Sequence, residues 1–398
     1  MNNKKVLFLS QSFIRFKGDI TSHFLFTLAK GILGAGYDLR AVVPHQRGLK
    51  TLEKIDGLPV YRFRYMLPSL ENLAYTGNMK EIVTRNLFNR MIFLFFLFFY
   101  FLKAYKVSKR FNVQIIHTHW WVPSGLIGCL VSYLLKIPLL ITTHGTDLRI
   151  ITDSRLSTFL AKIVFHKASY ITVVSNFLKK KLVSELNLPE EKVLVIPMPV
   201  NTEKIKVFST GETKSSKVIL CVARYTKQKK LKVLLEALSL LKEWNVDFEV
   251  ILIGEGPERE ELVRRIKALS LEERIKLVGL IPQEELNKYY NLSGVVLLPS
   301  VGEGFGLVLV EAGLCKKPVI GTDSGGIPDI IEDGVSGILV PPEDKLALAL
   351  AIKGILSDEK LAMRLGQNAY EQAWKRFSPE AIIERFLSIY GKLLSENK

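Results

Sequence analysis

The chain reads as an α/β protein made of two doubly wound, Rossmann-like parallel sheets, and three observations predict this. Short apolar runs with the length of buried strands alternate with helical patterns along nearly the whole chain. Several of these runs end in glycine- or histidine-bearing turns, the position at which open parallel sheets bind ligands. The 398 residues exceed what one core organises, and a hydrophobic content of 48% is enough to fill two.

Taken in order, residues 6–9, 39–43, 60–64, 113–117, 139–143, 170–174 and 193–197 read as strands of a first domain spanning 1–200. Lys4-Lys5 precede only four apolar residues before Ser10, too few for the apolar core of a secretory signal, so this start reads as a first buried strand. Polar, aperiodic residues 201–216 read as a linker. A second domain, 201–377, follows with strands at 217–223, 248–253, 275–278, 295–298, 318–321 and 337–340. A last helix, within about 378–398, is expected to pack back on the first domain. Cys129, Cys221 and Cys315 are far apart and lack metal or disulfide spacing, which fits a reducing cytoplasm.

The most informative stretch runs from Leu297 to Ala312. Pro299 ends a strand, Gly302, Gly304 and Gly306 form a turn around Glu303 and Phe305, and a helix opens near Gly306. Glycines let the backbone approach a ligand closely, and the free N–H groups of a helix start favour an anion such as a diphosphate. Glu311 then lies roughly 7–8 Å along the helix axis, within reach of a ribose. Arg224 follows the strand at 217–223, with Lys229 five residues on, and two cations at a strand end suit a diphosphate. Gly254 closes the next strand in Gly254-Glu255-Gly256-Pro257.

The net charge of +16 is unevenly spread. Residues 1–200 carry 27 Lys and Arg against 11 Asp and Glu, while residues 201–398 carry 28 of each. A basic half beside a neutral half argues for a localised anionic partner. In the same half, residues 91–102 are twelve consecutive apolar residues, with Arg85 and Arg90 before them and Lys103, Lys106, Lys109 and Arg110 after. As a helix this run spans roughly 18 Å, short of the ~30 Å hydrocarbon core. It reads either as a wholly buried core helix or as an interfacial helix held by cations to acidic headgroups, making 85–110 a candidate contact with an anionic membrane. Further candidates are His144 in His144-Gly145-Thr146-Asp147, His119 before Trp120 and Trp121 as a surface for a sugar or amphipathic ligand, and the first loop with Gly18, Asp19 and His23. His117 and His119 read equally well as structural imidazoles.

With these motifs in this order, the chain resembles the family-4 retaining glycosyltransferases of the GT-B fold, from Val6 to about Phe377. The match rests on Glu303-x7-Glu311 with Gly304-Phe305-Gly306, and on His144-Gly145-Thr146-Asp147, Val174-Ser175, Ile196-Pro197, Arg224 with Lys229, Gly254-Glu255-Gly256-Pro257 and Gly325-Gly326-Ile327-Pro328. The resemblance implies two domains facing across a cleft. It implies that Arg224, Lys229 and the backbone at Gly306, Leu307 and Val308 hold a donor diphosphate, that Glu311 binds the ribose, that Glu303 contacts the donor sugar, and that His144 lies near the reaction centre. Gly18 and Asp19 would border the diphosphate and acceptor. The chain departs from the family pattern at Gly18-Asp19, where two glycines are common, at Lys229-Lys230 in place of Lys-Gly, and at Met198-Pro199 in place of Asn-Gly.

The implied reaction transfers a sugar from a UDP- or GDP-linked donor with retention. No Asp-x-Asp occurs in the chain, so no metal or other cofactor is expected. The expected partners are the nucleotide sugar, a glycan or lipid-linked acceptor and an anionic membrane surface, with no nucleic acid. The expected location is the cytoplasmic side of the membrane, peripherally attached. Two other readings use the same features: a nucleotide-sugar epimerase of the same architecture, and a non-enzymatic basic protein binding membrane or nucleic acid.

Overall fold

The computed structural model describes residues 4–17, 19, 21–75, 78–208 and 217–396. The chain forms two compact units. The first comprises Met1–Val174, Leu178–Pro199 and Ile382–Lys398, and the second Ser175–Phe177 and Val200–Ala381.

The first unit holds an eight-stranded sheet of β1 (Lys5–Ser10), β2 (Asp38–Pro44), β3 (Leu52–Ile55), β4 (Leu58–Phe63), β5 (Ile115–His119), β6 (Leu139–Thr142), β7 (Tyr170–Val173) and β8 (Val193–Val195). Their order is β3-β4-β2-β1-β5-β6-β7-β8. All neighbours are parallel except β3 and β4. Every residue of β5 and β6 is buried, as strands covered by helices on both faces must be. The sequence reading missed β3. Its signal is Ile55-Asp56-Gly57-Leu58: Asp56 and Gly57 both take positive φ, 45° and 87°, as the tight turn of a two-residue hairpin requires.

The final helix, Pro379–Glu396, belongs to this unit from Ile382 onward. Tyr390 Oη lies 2.7 Å from His117 Nδ1, and Phe386 packs against the same imidazole. A Cβ on Gly31 would fall 1.8 Å from Ile383 Cδ1, so the absence of a side chain there admits this helix.

The second unit has a six-stranded, wholly parallel sheet of β9 (Val218–Val222), β10 (Glu249–Ile253), β11 (Ile275–Gly279), β12 (Val295–Leu298), β13 (Val319–Thr322) and β14 (Ile338–Val340). The order is β11-β10-β9-β12-β13-β14. Both sheets reverse direction once, the first between β1 and β5 and the second between β9 and β12. Loops leaving the carboxyl ends of such strand pairs diverge to opposite sides and open a crevice.

The apolar run at 91–102 is the middle of a longer helix, Leu87–Phe111. At 1.5 Å per residue its 25 residues extend about 37 Å, twice the expected length. By length and composition alone it could cross a membrane. One stripe, Ile92, Phe96, Tyr100, Ala104 and Val107, is buried on the sheet, where Phe63 stacks on Tyr100 at 4.4 Å and meets Phe96 at 5.0 Å. The opposite face leaves Leu87, Phe88, Met91, Leu94, Phe95, Phe98 and Phe99 exposed. The reading as a wholly buried core helix is therefore corrected, because the stripe against the sheet is too narrow to cover a helix that is apolar all round.

These two faces predict opposite outcomes for neighbouring residues. Phe96→Ala removes a side chain with no exposed surface and should cost about 3–5 kcal/mol in urea unfolding. Phe95→Ala should change stability by about 0.5 kcal/mol or less. Equal losses would show that the outer face is covered within the folded chain.

Candidate active site

In the second unit the turns leaving β9, β10, β12 and β13 interlock. Arg224 stands exposed between buried Ala223 and Tyr225. The turn after β10 lies directly against this segment: Ala223 N–H donates to Ile253 O and Tyr225 N–H to Glu255 O, at 3.0 and 2.9 Å. A Cβ on Gly254 would sit 1.9 Å from Ala223 O, and one on Gly256 2.3 Å from Tyr225 O. The two glycines thus set the course of the backbone that carries Arg224.

Beyond it, Lys229 ends a short helical turn and Lys230 takes φ 49° to start helix Leu231–Glu243. That left-handed residue occupies the position where the family pattern has glycine. The loop after β12 is fastened to this one. Val301 N–H donates to Gln228 O at 3.0 Å, Gln228 Nε2 donates to Gly302 O at 2.9 Å, and Lys229 Nζ pairs with Glu303 Oε2. From β13, Ser324 Oγ accepts from Gly302 N–H at 3.0 Å, and Gly326 N–H donates to Glu303 O at 2.8 Å. A Cβ on Gly325 would meet Glu303 O at 2.4 Å, and one on Gly326 would meet Gly304 O at the same distance.

Gly306 takes φ 110° and opens helix Leu307–Leu314. The N–H groups of that first turn, including those of Leu307 and Val308, have no carbonyl one turn earlier in the helix to pair with. Phe305 points away from the loop surface: its side chain is buried edge-on to Phe377 at 5.4 Å, so only its backbone is available to a ligand. Glu311, in the second turn, is buried and accepts a 2.6 Å hydrogen bond from Tyr290 Oη. Burial first, and then the Glu311 charge, push the Tyr290 hydroxyl well above the usual phenol range, so it stays a donor. Tyr290 comes from helix Gln283–Leu292, and nothing in the sequence marks it as part of the site.

The first unit gathers His119, Trp120, Trp121 and His144 at the ends of β5 and β6. Asp147 organises them. Its Oδ2 accepts from Trp121 N–H and its Oδ1 from the N–H groups of His144 and Gly145, all at 3.1 Å, while its carbonyl accepts from Trp121 Nε1 at 2.7 Å. Burial raises its carboxyl pKa to about 6 against these bonds. Trp121 is consequently a core residue, packed near Phe165, and takes no place on an acceptor surface. Trp120 is half-buried at φ 66°, with its ring 4.5 Å from that of His144.

His117 is a structural imidazole, held between Tyr390 Oη and Thr142 Oγ1 at 2.7 Å each. His119 is fully buried, yet neither ring nitrogen has a hydrogen-bond partner among the described residues, and neither has His144 Nε2. Burial lowers the pKa of all three histidines, that of His144 to about 3, so they are neutral at pH 7.

Gly18 lies outside the described residues. Asp19 is a loop brace: its carboxylate accepts Arg15 Nε and Nη2 at 2.7 and 2.9 Å, and the Thr21 hydroxyl at 3.0 Å. Burial opposes its ionisation, but the bonds from Arg15 and Thr21 outweigh it and hold the carboxyl well below the usual range. The acid that replaces a family glycine therefore has its charge neutralised by Arg15. His23 begins helix His23–Gly34, and its neighbour Phe24 lies 5.3 Å from the His144 ring. Among the described residues no group of three or more His, Cys, Asp or Glu is arranged to hold a metal ion.

The three histidines predict acid sensitivity. A base whose folded pKa lies below its unfolded value, near 6.5, contributes stability that is complete above pH 6.5 and lost as pH falls toward the folded value. Asp147, raised from 3.8 to about 6, opposes one histidine over pH 6 to 4. The net loss between pH 7 and 5 should be about 3–5 kcal/mol by urea unfolding. A flat profile would show that these rings take up protons as readily in the folded state as in the unfolded one.

The glycosyl transferases group 1 model matches residues 202–372, and the glycosyltransferase family 4 model matches residues 21–204. N-acetyl-alpha-D-glucosaminyl L-malate synthase of Bacillus anthracis is 28% identical over 308 residues, 74% of this chain and 79% of its own length. Sucrose-phosphate synthase of Thermosynechococcus elongatus superposes with a TM-score of 0.79 over 99% of this chain and 100% of its own, at 21% identity. Anabaena HepE in complex with UDP gives 0.73 over 98% and 100%, at 20% identity. The structural likenesses establish the GT-B fold, and the two models together run without a break from residue 21 to residue 372: the chain belongs to the family-4 glycosyltransferases.

Proposed function

We propose that the chain is a retaining hexosyltransferase that moves a sugar from a UDP- or GDP-linked donor to a hydroxyl of a glycan or lipid-linked acceptor at the membrane surface, without a metal ion. Membership of the family replaces the epimerase and non-enzymatic readings. The observation that carries the donor assignment is the joining of the β9 and β12 loops, which sets Lys229 against Glu303 beside the helix start at Gly306.

In this reading Arg224, Lys229 and the N–H groups of Leu307 and Val308 neutralise the diphosphate as it departs, a task that fixed cations and a helix start can perform in place of a metal. Lys229 exchanges Glu303 for phosphate, and Glu303 turns to the sugar hydroxyls. Glu311, oriented by Tyr290, accepts from the ribose. The anomeric C–O bond breaks with its electron pair going to the diphosphate. The acceptor hydroxyl attacks from the same face and gives its proton to a diphosphate oxygen. No protein nucleophile is required. In the first unit the unpartnered nitrogens of His119 and His144, both neutral, suit hydroxyl groups rather than an anion, with the Trp120 ring beside them. UDP is favoured over GDP by the UDP complex of Anabaena HepE. The exposed apolar face of helix Leu87–Phe111 and its basic flanks support peripheral attachment to the cytoplasmic side of a membrane through residues 85–110.

A thermal-shift screen of UDP, GDP and ADP tests the donor site. The right nucleotide at a hundred times its Kd should add about 2.7 kcal/mol of stability. If none shifts the Tm, the donor assignment fails. Glu311→Gln should weaken the nucleotide roughly ten- to a hundredfold, about 1.5–3 kcal/mol for bonds to a charged group. It should also abolish preference for UDP over its 2′-deoxy analogue. Tyr290→Phe should erode that same preference while leaving acceptor KM unchanged. Anomeric configuration of the product by NMR tests retention, and an inverted product overturns the mechanism.

A further inference from the structure

We propose that the membrane contact is a three-helix platform of the first unit, in which helices Leu126–Leu135 and Arg155–Lys167 join helix Leu87–Phe111 in docking on an anionic bilayer. The inference rests on the peripheral attachment proposed above and extends it to two helices outside residues 85–110.

Topology places the three helices in one layer. From β4 to β5, from β5 to β6 and from β6 to β7 the chain steps across the sheet in the same direction. Right-handed crossovers in a single direction put their helices on the same face. Helix Leu126–Leu135 packs against both of the others, and Lys167 Nζ lies 5.6 Å over the Tyr133 ring. Each helix buries one stripe and leaves another outside. Ile127, Val131 and Ser132 face in while Leu130, Tyr133 and Leu134 face out; Ala161, Val164 and Phe165 face in while Leu156, Phe159 and Ile163 face out. The outward six are 46–69% exposed, including Leu156 at 66% and Phe159 at 60%. Their spacings, i, i+3, i+4 and i, i+3, i+7, give each helix a single outer face that continues the one formed by Leu94, Phe95 and Phe98.

Charge identifies the occupant. None of the three helices contains an Asp or Glu, whereas together they carry Arg90, Lys103, Lys106, Lys109, Arg110, Arg155, Lys162 and Lys167. At the margin Asp153 is paired with Lys80 at 2.6 Å. A surface that is apolar at its centre, basic around it and free of acidic residues on its helices fits acyl chains flanked by anionic headgroups. A second copy of the same face would set cation against cation. Helix Leu87–Phe111 keeps one stripe on the sheet, so the platform lies in the interface and does not span the bilayer.

Flotation of the full chain with phosphatidylcholine vesicles, with and without phosphatidylglycerol, tests this. Wild type should bind the anionic vesicles at least tenfold more strongly than the neutral ones. The pairs Leu130→Glu with Leu134→Glu, and Phe159→Glu with Ile163→Glu, should each weaken that binding about tenfold or more, with the Tm held within a few degrees. Phe95→Glu with Phe98→Glu serves as the control for the long helix. Failure of wild type to bind either vesicle overturns the peripheral attachment itself. Loss confined to the 95/98 variant overturns only the three-helix platform. Equal binding to both vesicles overturns the anionic specificity. Dimers in light scattering that the 130/134 or 159/163 pair converts to monomers would reassign the face to a contact between copies of this chain.

Discussion

The second unit depends on the adjacency of β9 and β12, two strands far apart in sequence that pair because the sheet reverses direction between them. Once they pair, the loops that follow them have nowhere to go but beside each other. The backbone bond from Val301 to Gln228 and the side-chain bond from Gln228 to Gly302 then fix Lys229 against Glu303. The close approach is possible because Gly254, Gly256, Gly325 and Gly326 lack the Cβ atoms that would collide with neighbouring backbone. Glycine-fitted loops on a parallel sheet thus bring the Lys229 and Glu303 side chains together from segments more than seventy residues apart.

The first unit solves a different problem. Asp147 is buried and costly to ionise, and three N–H groups aimed at its carboxylate offset part of that cost and tie the ends of β5 and β6 together. Around it the imidazoles divide by role. His117 is fully hydrogen-bonded and structural, while His119 and His144 keep nitrogens without partners among the described residues. Unpartnered polar atoms in a buried position are expensive, and they are found where a ligand or water group completes them.

The apolar helices of the first unit separate stability from interaction along one element. In helix Leu87–Phe111 the stripe against β4 contributes to the core, and the outer stripe stays 38–74% exposed. A soluble chain gains nothing from such a stripe, which is why its covering is sought outside the chain. The charge excess is confined to the same half of the sequence, and the proposed anionic membrane contact would account for it as well.

Much of this was legible in the sequence. Buried parallel strands are continuous apolar runs, so thirteen of the fourteen strands among the described residues announce themselves, as does the glycine turn between strand and helix that carries Glu303 and precedes Glu311. What only the tertiary structure decided are the relations between segments. Tyr290 beneath Glu311, the inward turn of Trp121 and Phe305, and the two helices that extend the apolar face have no local signature. Strand and turn formation follow from properties a residue shares with its immediate neighbours, whereas burial and pairing are set by which distant segment the sheet order brings alongside.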